Sequence, residues 1–357
     1  MPNATSGSRR GVGVALAAAL LFGVSAPFAK LLLRDAAPQL LAGLLYVGSG
    51  VGLSLVWVAR RRKTSREAAL TSRDAPWLAG AIAVGGIAAP LLLMLGLART
   101  PASAASLLLN LESVFTALLA WFVFRENFDR RVALGMVAIM AGGVVLSWDG
   151  RLQLGGLAGP LMVAAATLCW ALDNNLTQKV SAGDPVQIAM LKGLVAGSVN
   201  TALALALGAT WPALPRLGGA LLLGFLSYGV SLVLFVLALR SLGTARTGAY
   251  FSSAPFVGAL VSLVVFREHP NINFAVAAAL MALGVWLHVT ERHEHEHRHD
   301  AMAHEHAHVH DEHHRHEHGP GDPAVTDPAP HSHSHQHEPL VHTHAHYPDI
   351  HHRHGHD

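Results

Sequence analysis

The chain has 357 residues, of which 52% are apolar and only 13% charged, with a formal net charge of +2. That balance is unusual for an average soluble domain, and no nucleic-acid partner is expected from it. One cysteine, Cys169, excludes an intrachain disulfide framework.

In chain order, apolar runs of about 20 residues recur, each long enough to cross a hydrocarbon core of roughly 30 Å. They cover 11–33, 37–59, 76–97, 101–124, 132–148, 154–177, 185–208, 217–239, 244–266 and 272–290. Lipid leaves no backbone polar group a water partner, so these runs are expected to be helices and not open strands. Arg9 and Arg10 precede the first run, as in a signal peptide, but that run is too long for such a segment and ends near Lys30. It is expected to be a retained helix. The predicted organisation is a cytoplasmic N-terminus over 1–10, helical units over 11–148 and 149–290, and a tail over 291–357.

Orientation follows from basic residues near the helix ends. With the N-terminus in the cytoplasm, 15 Lys and Arg fall on the inner side, among them Arg60, Arg61, Arg62, Lys63, Arg130 and Arg131. Five fall outside: Arg34, Arg99, Arg151, Arg216 and Arg267. A multi-pass protein of the inner (plasma) membrane with both termini cytoplasmic is expected.

Two stretches 142 residues apart are alike. Val123-Phe-Arg-Glu126 reappears as Val265-Phe-Arg-Glu268, with Ala117/Ala259, Leu118/Leu260 and Gly142/Gly284 in the same register. Five runs per unit is an odd number, so the second copy enters the membrane from the opposite side. Inverted repeats place a substrate site near the midplane and support alternating access. The expected fold is thus an all-α membrane protein of ten transmembrane helices in two inverted five-helix repeats, followed by a disordered tail.

Further pieces sharpen this. They are Thr100-Pro-Ala-Ser-Ala-Ala-Ser106, Leu111-Glu-Ser-Val-Phe115 with Glu126, and Ala254-Pro-Phe256 with Glu268. Each unit also opens on an aromatic-small pair, Phe22-Gly23 and Trp170-Ala171, with Lys30 and Lys179 beyond. Residues 11–290 thereby resemble the EamA units of the drug/metabolite transporter superfamily. The resemblance implies a ten-helix carrier, usually an exporter of small metabolites, and not an enzyme. Ser113 stands where that family often has the proline seen here at Pro255, which leaves a kink in the first unit open.

Charges inside membrane helices are costly and mark candidate function. Glu112 falls at the centre of the fourth run with no evident partner at its depth, which points to proton or cation handling; Asn110 falls on a different face. Asp173, followed by Asn174, and Lys192 lie roughly 6 and 11 Å from the cytoplasmic end at 1.5 Å per residue, close enough to bridge. That bridge reads either as a structural ion pair or as a gate or coupling site. Asn110, Glu112, Asp173, Asn174 and Lys192 are the expected transport pathway. Lys30, near a helix end, reads as a snorkelling or capping residue. Gly193 and Gly197, four apart, read as a close helix crossing.

The tail holds 23 of the 25 histidines, mostly as His-x-His. The expected metal ligands are His293, His295, His297, His299, His304, His306, His308, His310, His331, His333, His335 and His337. Neutral imidazole suits zinc, copper, nickel and cobalt, and 13 acidic residues against four Arg over 291–357 add attraction. With no apolar periodicity the segment is expected to lack a core. A metal buffer or sensor, a pH sensor and an incidental metal binder are the three readings. Histidine-rich members of the superfamily resemble nickel and cobalt exporters. The leading expectation is export of a divalent transition metal, nickel or cobalt, by proton exchange. The alternative is a metabolite or amino-acid exporter whose tail only buffers metal, and a third is a membrane-anchored metal store. No G-x-x-x-x-G-K-[ST] loop is present, so no nucleotide cofactor is expected for transport. The partners expected are the lipid bilayer and the cargo, with a homodimer allowed.

Overall fold

In the computed structural model the described residues are 4–60, 70–124, 130–147, 156–180, 183–242, 247, 250–289, 294–299, 302–308, 331–337 and 340–345. Through residue 289 they form helices and short turns. The helices are α1 (Ala4–Gly23), α2 (Ser25–Leu32), α3 (Pro38–Arg60), α4 (Ala75–Ala81), α5 (Ala89–Arg99), α6 (Ala102–Leu108) and α7 (Leu111–Phe124). Then come α8 (Arg130–Ser147), α9 (Ala158–Gln178), α10 (Pro185–Ala206), α11 (Leu214–Leu223), α12 (Ser231–Leu242), α13 (Ala254–Phe266) and α14 (Ile272–Val289). Two π-helical stretches, Ile82–Ala88 and Gly224–Val230, join α4 to α5 and α11 to α12.

Among the described residues, five helical spans are long and apolar enough to cross a membrane: Gly11–Leu32, Pro38–Arg60, Ala75–Arg99, Pro185–Ala206 and Leu214–Ala238. Shorter apolar helices cover Ala133–Ser147, Ala254–Phe266 and Ile272–Leu287. The all-helical membrane class expected from the hydropathy pattern holds for this part of the chain.

The two π stretches begin 142 residues apart, the offset of the repeated Val-Phe-Arg-Glu. The helix contacts are reciprocal in the same sense. Helix α5 packs on α9 as α12 packs on α1, and α7 meets α9 as α13 meets α1. The second π stretch lies on α3, and the first on α10. Helices α3 and α10 pack on each other, as do α8 and α14. At the α3–α10 crossing the glycines face each other's backbone. A Cβ on Gly193 would come 2.7 Å from the Gly50 Cα and 2.9 Å from the Tyr46 carbonyl oxygen. The close crossing expected of Gly193 and Gly197 is therefore real, and Gly50 supplies its other side.

One expectation needs correction. The fourth run, 101–124, is not one helix: α6 stops at Leu108 and α7 starts at Leu111. No proline is needed, because the Ser113 hydroxyl donates to the Asn110 carbonyl at 2.7 Å and competes with the helical ladder. The corresponding break before α13 has the same device, Ser253 Oγ donating to Tyr250 O at 2.6 Å.

The tail is described only in four short segments. Among its described residues the backbone pairs in two antiparallel ladders. Strand β1 (Glu294–His299) pairs with β4 (Leu340–Ala345), and β2 (Met302–His308) with β3 (His331–His337). Alternation of period two is the pattern of a strand, and main-chain pairing needs no buried core. His293 and His310 lie outside the described residues. The register sets five pairs of histidines opposite one another: 295/344, 297/342, 304/335, 306/333 and 308/331.

Candidate functional site

The site grows from Pro90. Proline has no N–H, so it can donate neither in the α register nor in the π register. The π stretch ahead of it is closed by the Ala89 N–H, which bonds to the Val84 carbonyl. The next carbonyl, Gly85 O, has no helical donor at Pro90 and takes two side chains instead. Tyr46 Oη donates to it at 3.0 Å and Trp170 Nε1 at 3.1 Å. The following carbonyls, of Gly86 and Ile87, both accept from Asn200 Nδ2 at 3.3 Å. Buried carbonyls in lipid cost several kcal/mol each if left unpaired, so α3, α9 and α10 are tied to this point of the first unit.

Asp173 sits one helical turn from Trp170 and reaches the same place. A Cβ on Gly85 would overlap the Asp173 carboxylate. Lys192 Nζ bonds both carboxylate oxygens, at 2.6 and 2.7 Å, with the two side chains only 8% and 5% exposed. Thr177 Oγ1 completes the group, donating to Asp173 at 2.9 Å and accepting from Lys192 at 3.2 Å. The pairing of Asp173 with Lys192 read from helix depth is thus present, between a side chain of α9 and one of α10. Its electrostatic weight is large because no water competes, and the lost hydration of both ions is what it offsets.

Glu112 is not alone, contrary to the sequence reading. Asn174 Nδ2 donates to its Oε1 at 2.6 Å, bridging α7 and α9. Glu112 is half-buried and Asn174 exposed. Because Asp173 and Asn174 are adjacent, helix α9 points one residue at the buried ion pair and the next at Glu112. Asn110 is buried at the α6–α7 break, its Nδ2 donating to Leu107 O at 3.0 Å and lying 4.0 Å from Met281 Sδ; its Oδ1 has no partner. It stands apart from Glu112, as their spacing implied.

Above the ion pair an aromatic group joins the two units. Phe22 lies 5.8 Å from Trp170, 5.9 Å from Tyr228 and 5.4 Å from Phe251, and Tyr46 lies 5.4 Å from Tyr228. The hydroxyls of Ser25, Ser227 and Tyr228 are buried without a hydrogen-bond partner. Among the residues whose side chains are described, no three His, Cys, Asp or Glu converge as a metal-ligand group.

Sequence reasoning missed Tyr46, Thr177 and Asn200, and it saw Trp170 only as half of a motif. The signal available was Pro90 inside the run 76–97, which demands that some other group satisfy a carbonyl one turn earlier.

A helical membrane bundle built of two like units, with buried charge at their contact, is the architecture of a membrane carrier. The chain belongs to the EamA-like transporter family, whose model matches residues 9–148 and again 157–290. It is 31% identical over 287 residues to an uncharacterized transporter of Methanothermobacter thermautotrophicus (strain Delta H), covering 76% of this chain and 84% of that protein. It is also 22% identical over 204 residues to the uncharacterized transporter YyaM of Bacillus subtilis (strain 168), covering 54% of this chain and 66% of the other. A protein of known crystal structure superposes with a TM-score of 0.60 at 20% identity, over 79% of this chain and 98% of that one, which shows the shared fold.

Proposed function

We propose that this transporter is a proton-coupled secondary carrier of ten spans in two inverted units, exporting a divalent transition metal, nickel or cobalt foremost. The observation that carries the metal reading is the union, in one chain, of a carrier bundle and a tail with 23 imidazoles. With 15 basic residues on the N-terminal side against five, the tail faces the cytoplasm, where capture precedes export. The repeated 142-residue offset and the reciprocal helix contacts support inversion. Glu112 is the proton-exchanging group, and the Asp173–Lys192 pair, within the second unit, is the gate or coupling site. The tail holds nickel, cobalt or zinc and feeds the bundle.

The direct experiment is nickel uptake into inverted membrane vesicles with an imposed pH gradient, inside acidic. Uptake that collapses with the gradient supports the reading. Absence of uptake for nickel, cobalt and zinc overturns the metal cargo. A reporter fused after Asp357 tests orientation, and a periplasmic signal from it reverses the argument for capture.

The aromatic rings and buried hydroxyls around Phe22 and Tyr228 favour a second reading. Ring faces and hydroxyls are chemistry for a small organic solute more than for a bare ion. On that reading the tail only buffers metal, and vesicles show proton release with an organic substrate and none with metals.

A further inference from the structure

We propose that Lys30, Ser103 and Glu268 form the latch of the gate on the face opposite the N-terminus, and that the latch is shut in this structure. This rests on the carrier reading above but not on the identity of the cargo.

Three segments meet there. Lys30, near the end of α2, donates from Nζ to the carbonyls of Leu97 and Thr100, the second at 2.9 Å. The Leu97 carbonyl is in the last turn of α5, where it carries the negative end of the helix dipole, and Thr100 follows the helix as its extended cap residue. Ser103, in the first turn of α6 and 4% exposed, donates from Oγ to the Glu268 carboxylate. Glu268 lies near enough to Lys30 for their charges to act on each other. Its backbone is held for this. Arg267 adopts the left-handed conformation at φ 51°, and the Glu268 N–H bonds back to Leu263 O at 3.1 Å. A non-glycine residue persists in that conformation only where its surroundings hold it there.

The latch joins the two units, since Lys30 and Ser103 belong to the first and Glu268 to the second. Two more contacts on this face do the same. Asp35 pairs with Arg216 at 3.0 Å, and the Arg34 guanidinium lies 5.9 Å from the Phe266 ring centre. On the opposite face Lys179, the residue matching Lys30, lies over the Trp77 ring at 5.9 Å. The position matching Ser103 at the 142-residue offset is Ala245, which has no hydroxyl to donate. At that position the second unit lacks the hydroxyl of the latch.

The role follows from population shift. A contact made in one conformation alone stabilises that conformation, and removing it moves the equilibrium towards the other. A lysine that merely caps α5 has no such directional effect.

The test uses full-length protein with Cys169→Ser and a reporter Ser106→Cys, one turn below Ser103, in oriented proteoliposomes. A membrane-impermeant maleimide is added from either side, with no cargo present. Glu268→Gln and Ser103→Ala should each raise labelling from the latch face at least five-fold and lower it from the other. Unchanged labelling ratios, or an equal rise from both faces, overturn the latch. The carrier reading is decided separately, by the vesicle uptake described above. A second measurement does not depend on weakened variants. Ser103→Cys with Glu268→Cys, joined by a short bis-methanethiosulfonate linker that replaces the reach of the carboxylate, should abolish latch-face labelling until reduced; labelling that persists in the cross-linked protein also overturns the proposal.

Discussion

Gly85 and Asp173 occupy adjoining space so closely that no β-carbon fits between them. The carboxylate of Asp173 reaches Lys192 only because the π stretch presents a bare backbone there. Gly85→Ala should push the carboxylate off the ammonium, leaving two unpaired buried charges at a cost on the order of 3 kcal/mol. Thermal unfolding of the detergent-solubilised protein checks this. A melting temperature within a degree of the parent shows that Asp173 can rearrange freely.

The ion pair itself predicts an asymmetry between single and double changes. Asp173→Ala or Lys192→Ala strands one charge in the bundle, at about 3–5 kcal/mol, whereas the double change leaves none. The double variant should therefore be more stable than either single one. If it is the least stable of the three, hydrogen bonds through Thr177 dominate over charge. Transport by the stable double variant then separates a coupling role from a structural one.

Glu112 can be tested without disturbing its partner. Glu112→Gln keeps the amide-accepting carbonyl for Asn174 but removes the ionisable proton. Proton-driven flux should fall at least a hundred-fold while insertion and melting temperature stay unchanged. Parent-like flux makes the residue structural and moves the coupling role elsewhere.

Metal held by the tail competes with protons for imidazole nitrogen. Unperturbed histidine titrates near pH ~6.5, so nickel bound per chain should drop steeply as pH falls through that value. Equilibrium dialysis at pH 7.5 and 5.5 measures it. Truncation at about residue 291 removes 23 histidines and none of the helices. It should abolish multi-ion binding yet reduce nickel resistance only in part, most clearly at low metal. Identical accumulation with and without the tail at every concentration makes the tail incidental.

How much of this was legible differs from residue to residue. The pairing of Asp173 with Lys192 could be read because lipid tolerates few isolated charges, and helix rise places both at similar depth. The 142-residue repeat could be read because Val-Phe-Arg-Glu recurs without a gap. The partner of Glu112 could not, since Asn174 is 62 residues away and any of several polar groups would have served equally by depth. The break at Leu109–Asn110 was hidden by its apolar surroundings, and its cause is a serine back-bond that leaves hydropathy unchanged.

The sequence by itself determined the membrane class, the two-unit organisation and the family, because hydropathy, repetition and motif are properties of order along the chain. Only the tertiary structure decided that Tyr46 and Trp170 converge on the Gly85 carbonyl, that Glu112 pairs with Asn174, and that Ser103 meets Glu268 across 165 residues. Those contacts depend on how helices turn about their axes and cross. Rotation of one apolar helix against another is set by packing of small residues such as Gly50 and Gly193, which hydropathy along the chain does not record.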